Sequence, residues 1–197
     1  MSDDVVNKTR RRVLTGATSV VGAIGAVGVA VPFVGSWNPS AKAKAAGAPV
    51  QVNISKIEPG AMITVEWRGK PVYIVRRTEE ALENLTKTDD LVRDPNSEEP
   101  QQPPYAQNHA RSIKPEVLVL LGLCTHLGCA PMFRPEVGAA DLGGDNWQGG
   151  FFCPCHGSKF DLAGRVFKGV PAPINLQVPP HRYDSDSVLT IGVDQEA

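Results

Sequence analysis

Cys124-Thr125-His126-Leu127-Gly128-Cys129 and Cys153-Pro154-Cys155-His156-Gly157-Ser158 hold all four cysteines of the 197-residue chain and two of its four histidines. Twenty-three residues, 130–152, separate the two stretches. Such clustering is too local for a disulfide scaffold that staples a whole fold, so it reads as one site. Each stretch offers a cysteine and a histidine with one or two residues between them, Cys124/His126 and Cys153/His156. Each also carries a second cysteine, Cys129 and Cys155.

Zinc modules more often use Cys-x2-Cys or His-x3–5-His spacing. A Cys-x-His start departs from that. Two cysteines with two histidines suit a [2Fe–2S] centre in which thiolates hold one iron and imidazoles the other. Cys129 and Cys155 are then spare and free to close a disulfide, which an exported domain permits. A structural zinc domain with no redox role is the alternative of a different class. Its lack of colour distinguishes it.

Around the site the chain reads as mostly β. Gln51–Ile54 and Ile63–Trp67 alternate with the period of half-buried strands, and Pro71–Val75 is a third. Arg68-Gly69-Lys70-Pro71 reads as the tight turn of a hairpin. Thr78 is placed to cap a short helix. Residues 86–115 are polar and proline-rich and read as a long irregular insertion. Val117–Leu123 is a continuous apolar run, hence a buried strand, and 174–178 and 188–193 close the pattern. The sum is an antiparallel β-sandwich over 50–197, with a cluster-binding subdomain near 122–173. His109 and His181 have no motif around them and read as surface or loop residues. Trp67 and Trp147 read as packing residues, and Asp161 as a turn stabiliser.

Charge is unevenly spread. The net charge is −1, but residues 1–44 carry six basic and two acidic groups, which leaves the body at −5. No strongly basic surface remains for nucleic acid. Lys8, Arg10, Arg11 and Arg12 precede an uncharged stretch whose most apolar part is 13–34. As a helix those 22 residues reach about 33 Å, enough for a hydrocarbon core of about 30 Å. The flanking positive charge places residues 1–12 in the cytoplasm and the body outside a bacterial inner membrane, as a single-pass protein. Thr9-Arg10-Arg11-Arg12-Val13-Leu14 resembles a twin-arginine export signal, and Ala43-Lys44-Ala45 offers a small-residue processing site. Residues 35–49 are small, polar and proline-interrupted, and read as a flexible hinge linker.

CTHLGC and CPCHGS, followed by Phe160-Asp161 and the proline loop VPAPINL, resemble the Rieske iron–sulfur subunits of ubiquinol–cytochrome c reductases, the respiratory cytochrome bc complexes. The resemblance runs from the signal to the C-terminus. It implies one [2Fe–2S] cluster with Cys124 and Cys153 on the inner iron and His126 and His156 on the outer one. It implies a Cys129–Cys155 disulfide, a Ser158 hydroxyl donated to a cluster sulfide, and Leu127 as an apolar shield that docks on cytochrome b. The implied activity is electron transfer from ubiquinol to a c-type cytochrome with proton release. His156 would be the first contact for the quinol and His126 the second. Two positions depart from the family pattern: Phe160 stands where a tyrosine is usual, and Val170 is inserted between Gly169 and Pro171. The small Rieske subunit of a periplasmic oxidase, such as arsenite oxidase, is the runner-up. Soluble Rieske ferredoxins and ring-hydroxylating dioxygenases usually lack the second cysteine pair and the membrane segment.

Overall fold

The computed structural model describes residues 7–194, and the chain divides into two compact units, Met1–Ala45 and Ala46–Ala197. In the first unit α1 spans Lys8–Gly35. It begins five residues before the apolar stretch because the Asn7 side chain accepts the Arg10 N–H at 3.0 Å, and Lys and Arg extend a helix readily. Its 28 residues reach about 42 Å, and none is buried. It is long and apolar enough to cross a membrane. The segment 35–49 is not irregular throughout. It contains α2 (Ala41–Ala46), started by Ser40 Oγ accepting the Ala43 N–H at 3.1 Å and carried by alanine and lysine.

The second unit contains β1 (Val50–Asn53), β2 (Met62–Trp67), β3 (Lys70–Arg76), α3 (Glu79–Asn84), β4 (Val117–Leu121), β5 (Met132–Arg134), β6 (Gly150–Cys153), β7 (Ser158–Asp161), β8 (His181–Ser185) and β9 (Val188–Ile191). They form three antiparallel sheets, ordered β1-β9-β8, β2-β3-β4 and β5-β6-β7. The β2–β3 turn is two residues long. Arg68 and Gly69 both have positive φ, 53° and 70°, which gives the twist a hairpin prefers. Thr78 Oγ1 accepts the Ala81 N–H at 3.1 Å and starts α3, as the sequence predicts.

The β2-β3-β4 sheet lies between two cores. Val72, Ile74, Val117, Val119 and Leu121 face one core, shared with Val52, Leu189 and Ile191 of the first sheet. Tyr73, Val75, Leu118 and Leu120 face the other, shared with Phe151, Cys153 and Phe160 of the third. Successive strand residues point to opposite faces, so a strand covered on both faces loses its polar alternation. That is why Val117–Leu121 reads as an unbroken apolar run.

Several sequence expectations are corrected. Residues 174–178 form no strand. Their backbone groups bond to three separate places: the Leu176 N–H donates to Gly164 O (2.8 Å), Gln177 O accepts from Leu121 N–H (2.8 Å), and the Val178 N–H donates to Gln101 O (2.9 Å). His181 is not a surface residue but lies buried in β8. Its Nδ1 is 2.8 Å from Pro179 O, and its ring stands edge-on to Tyr105. Burial holds its pKa below the ordinary value. Strands β5, β6, β7 and β8 were not anticipated. They are short, and β6 ends on Cys153 and β7 begins on Ser158, so these two flank the second cysteine loop.

The insertion 86–115 is irregular apart from two short 3-10 turns, but it is tightly held. Arg165 is fully buried and uses all its donors. Its Nε meets Asp161 Oδ2 (2.7 Å), its Nη1 meets Asp89 Oδ1 (2.7 Å) and Pro95 O (3.0 Å), and its Nη2 meets Leu85 O (2.8 Å) and Thr88 Oγ1 (3.0 Å). Arg77 spans Pro115 O, Ala110 O, Leu162 O and Ser112 Oγ at 2.7–2.9 Å. Burial lowers the Arg77 pKa to about 9. For Arg165, burial works the same way, but Asp161 and Asp89 outweigh it and the net shift is upward. Asp161 also accepts the backbone N–H groups of Ala163 (2.9 Å) and Arg165 (2.8 Å), which confirms it as a turn stabiliser.

Replacing Arg165 with methionine leaves the Asp161 carboxylate buried without its counter-charge. The expected loss is about 3–5 kcal/mol, read from urea denaturation of the full-length chain in detergent. A loss below about 1 kcal/mol, the range of an exposed pair, would show that the network does not hold the insertion.

Candidate metal centre

The two cysteine stretches are built alike. Gly128 N–H donates to Cys124 O and Gly157 N–H to Cys153 O, each at 2.9 Å. Both glycines have positive φ, 84° and 78°, a conformation that side chains resist. Each loop is thus a single tight turn that starts at a cysteine on the end of a buried element. Cys124 follows β4 after Gly122, where the Tyr73 ring packs so closely that any side chain would overlap it. Cys153 ends β6.

Cys124 and Cys153 are both free and buried, and both belong to the core formed by Tyr73, Phe151 and Phe160. Burial pushes the Cys153 thiol pKa up, while the backbone N–H groups of Cys155 and His156 act on the sulfur in the opposite sense. His126 is half-buried and His156 exposed, with ring centroids 4.7 Å apart and planes at 88°. Cys129 and Cys155 form a disulfide between the loops. The Sγ atoms of Cys129, Cys153 and Cys155 lie within 4.8 Å of one another. Two of those sulfurs are bonded together, so only Cys153 of the three can be a thiolate donor.

The donor set therefore sorts itself by exposure. Two thiols face inward from the core and two imidazoles face outward, with a covalent tie beside them. Thiolates bind iron through sulfur and need shelter, and neutral imidazoles bind it through nitrogen and tolerate water. A mixed Cys2His2 diiron centre fits these four residues. Ser158 is fully buried, and its Oγ accepts the Ala172 N–H at 3.0 Å. One lone pair is thereby occupied and the hydroxyl proton remains to be donated.

The proline loop after Gly169 is pinned from several directions. Val170 O accepts from Arg93 Nη2 (3.0 Å), Ala172 N–H donates to Ser158, Ile174 O accepts from Thr125 Oγ1 (2.6 Å), and Asn175 N–H donates to Gln101 Oε1 (3.1 Å). The inserted Val170 is thus accommodated: its carbonyl takes a guanidinium and its side chain packs on two neighbouring cores. Leu127 stands 72% exposed at the tip of the first loop. Phe160 is fully buried beside both thiols.

Several supporting residues were not found from the sequence. Tyr73 donates its hydroxyl to Pro131 O at 2.9 Å, just past the first loop, and stacks on Phe151. Thr125, Arg93 and Gln101 hold the proline loop. Of these, Thr125 lies inside the first cysteine stretch and the others sit in no motif. A tyrosine inside the apolar run of β3 is the one sequence signal that could have pointed to Tyr73, since a buried hydroxyl needs a partner.

Residues 49–180 match the family described as Rieske [2Fe-2S] domain, and residues 1–40 match Ubiquitinol-cytochrome C reductase Fe-S subunit TAT signal. Over 195 residues the chain is 62% identical to the ubiquinol-cytochrome c reductase iron-sulfur subunit of Allochromatium vinosum, covering 99% of this chain and 94% of that one. It is 42% identical over 192 residues to the subunit of the same description in Blastochloris viridis, covering 97% of each. A solved structure described as hyperthermophilic respiratory Complex III aligns over 88% of this chain and 98% of its own, at 25% identity and a TM-score of 0.49. With this signal, this domain and identity across nearly its whole length, the chain belongs to the ubiquinol–cytochrome c reductase iron–sulfur subunits, with a Rieske [2Fe–2S] domain as its body.

Proposed function

We propose that this chain carries electrons from ubiquinol to a c-type cytochrome, with its [2Fe–2S] cluster held by Cys124, Cys153, His126 and His156. The observation that carries the reading is the sorting of donors, with two thiols buried in the core and two imidazoles paired at the exposed tip. When bound, the cluster supplies a one-electron acceptor. The chain's own residues do the rest. The core around Cys124 and Cys153 excludes water from the sulfur side. His126 and His156 would each hold the cluster through one ring nitrogen, which would leave the other free for the quinol. His156 is the more exposed ring and so the first candidate to accept a hydrogen bond, and then a proton, from the quinol hydroxyl. The Ser158 hydroxyl, whose oxygen already accepts the Ala172 N–H, would have its proton free for a cluster sulfur, and such a bond would favour the reduced, more negative form.

Leu127 offers an apolar contact for cytochrome b beside the two histidines. The helix α1 is the membrane span, with Arg10–Arg12 on the cytoplasmic side and the body in the periplasm. The segment 35–49 is the connector that lets the head move between the quinol site and the cytochrome.

Replacing Cys124, His126 or Cys153, or making His156→Ala, should each abolish the low-temperature EPR signal of the reduced chain. Leu127→Ala should keep that signal and raise the KM for quinol in the assembled complex about tenfold, because most of the burial of one leucine is lost. An unaltered EPR signal in His156→Ala contradicts the ligand set.

Phe160→Tyr places a hydroxyl in the buried space beside the two thiols, where a ligand sulfur is the available acceptor. A net hydrogen bond of about 1 kcal/mol corresponds to a rise of about 40 mV in midpoint potential. A redox titration of the variant that shows no change or a fall would mean that the hydroxyl does not reach sulfur.

A further inference from the structure

We propose that the Cys153 thiol, when no metal caps it, attacks the adjacent Cys129–Cys155 disulfide, so that the cluster must be in place before that bond forms. The inference rests on the reading of Cys153 as an iron ligand. Its structural basis is the trio of sulfurs within 4.8 Å of one another, two joined and the third a free thiol. The fold thus already holds the free thiol beside the disulfide, a few ångströms from either of its sulfurs.

The exchange balances without any other reagent. The Cys153 sulfur loses its proton and bonds to Cys129 Sγ. The Cys129–Cys155 bond breaks, and Cys155 leaves as a thiolate that takes up a proton. One disulfide and one fewer usable ligand result, with no net oxidation. Cys129 is the expected target for two reasons. Attack at Cys155 would close a ring across Cys153-Pro154-Cys155, where the fixed φ of proline resists the bend. Cys129 also packs against the same core as Cys153, while Cys155 is exposed.

The product is a dead end for assembly. Cys153 is consumed in a loop-to-loop link, and an exposed Cys155 thiol appears in its place. A metal bond to Cys153 removes the attacking sulfur. In a reducing compartment Cys129 and Cys155 stay as thiols, so no disulfide is there to be attacked while the cluster is loaded. Loading first and oxidation second is then the order that protects the site.

The test uses the full-length chain in detergent, isolated with its cluster. Part is stripped of iron by a chelator under anaerobic conditions, with no added thiol. Both samples are incubated, labelled with N-ethylmaleimide, digested without reduction and sequenced by mass spectrometry. The stripped chain should show the Cys129–Cys153 link with labelled Cys155, about tenfold or more above the loaded chain, as expected for a positioned intramolecular nucleophile. The swapped fraction should also fail to regain its EPR signal on addition of iron and sulfide until a thiol reductant is supplied. A stripped chain that keeps Cys129–Cys155 and shows labelled Cys124 and Cys153 overturns the exchange and leaves the ligand reading intact. Full reconstitution of the swapped fraction without reductant overturns the claim that it is a dead end. Equal swapping in loaded and stripped chains would instead remove Cys153 from the metal, and with it the protection proposed here.

Discussion

The stack of Tyr73 on Phe151, with ring centroids 5.9 Å apart, joins the sheet that leads into the first cysteine loop to the sheet that leads into the second. Tyr73 lies on β3, which pairs with β4, and β4 runs through Gly122 into Cys124. Phe151 lies on β6, two residues before Cys153. The two loops are therefore fixed relative to each other by aromatic packing in a dry core, before any disulfide or metal is considered. The Tyr73 hydroxyl adds a bond to Pro131 O and fixes the chain where it leaves the first loop. Side-chain packing of this kind resists small displacements, which a site with ligands on two loops requires.

From that constraint the chemistry at the tip follows. The elements enter the core from below, so the first residue of each loop, a cysteine, is buried. The turn then reverses at a left-handed glycine four residues on, and the intervening histidine is carried outward. The histidine falls two residues after the cysteine in the first loop and three after it in the second, so buried thiols and outer imidazoles follow from turns that share their first and fifth positions. The proline loop closes the third side, held by Ser158, Thr125, Arg93 and Gln101. Behind it, Arg165 and Asp161 lock the insertion to the back of β7. Burying those charges is costly unless they are fully paired, and the Arg165 guanidinium meets an acceptor with every donor it has.

Much of this was legible in the sequence where a local rule governs. Val117–Leu121 could be read as buried because its apolar run has no polar break. The β2–β3 hairpin was announced by Arg68-Gly69, and the helix cap by Thr78. The site was legible because all four cysteines fall in two short stretches. What was missed is non-local. His181 sits in a context that looks like a loop, yet its burial depends on Tyr105 and Pro179. Residues 174–178 alternate apolar and polar like a strand, but their partners are three unrelated segments. Strands β5 to β7 are only three or four residues long and are shaped by the site rather than by hydrophobic period. Nothing in the sequence neighbours of Arg77 and Arg165 reveals the carbonyls that surround these buried guanidinium groups.

The central claim is that two histidine nitrogens and two cysteine sulfurs hold the cluster, sorted by the geometry of two matching loops. Pulsed EPR of the reduced full-length chain grown with 15N-histidine tests it most directly. Two distinct, strongly coupled histidine nitrogens are expected, and a His156→Ala chain should not reproduce them. A spectrum with no histidine nitrogen coupling, as an all-cysteine cluster would give, would contradict the account.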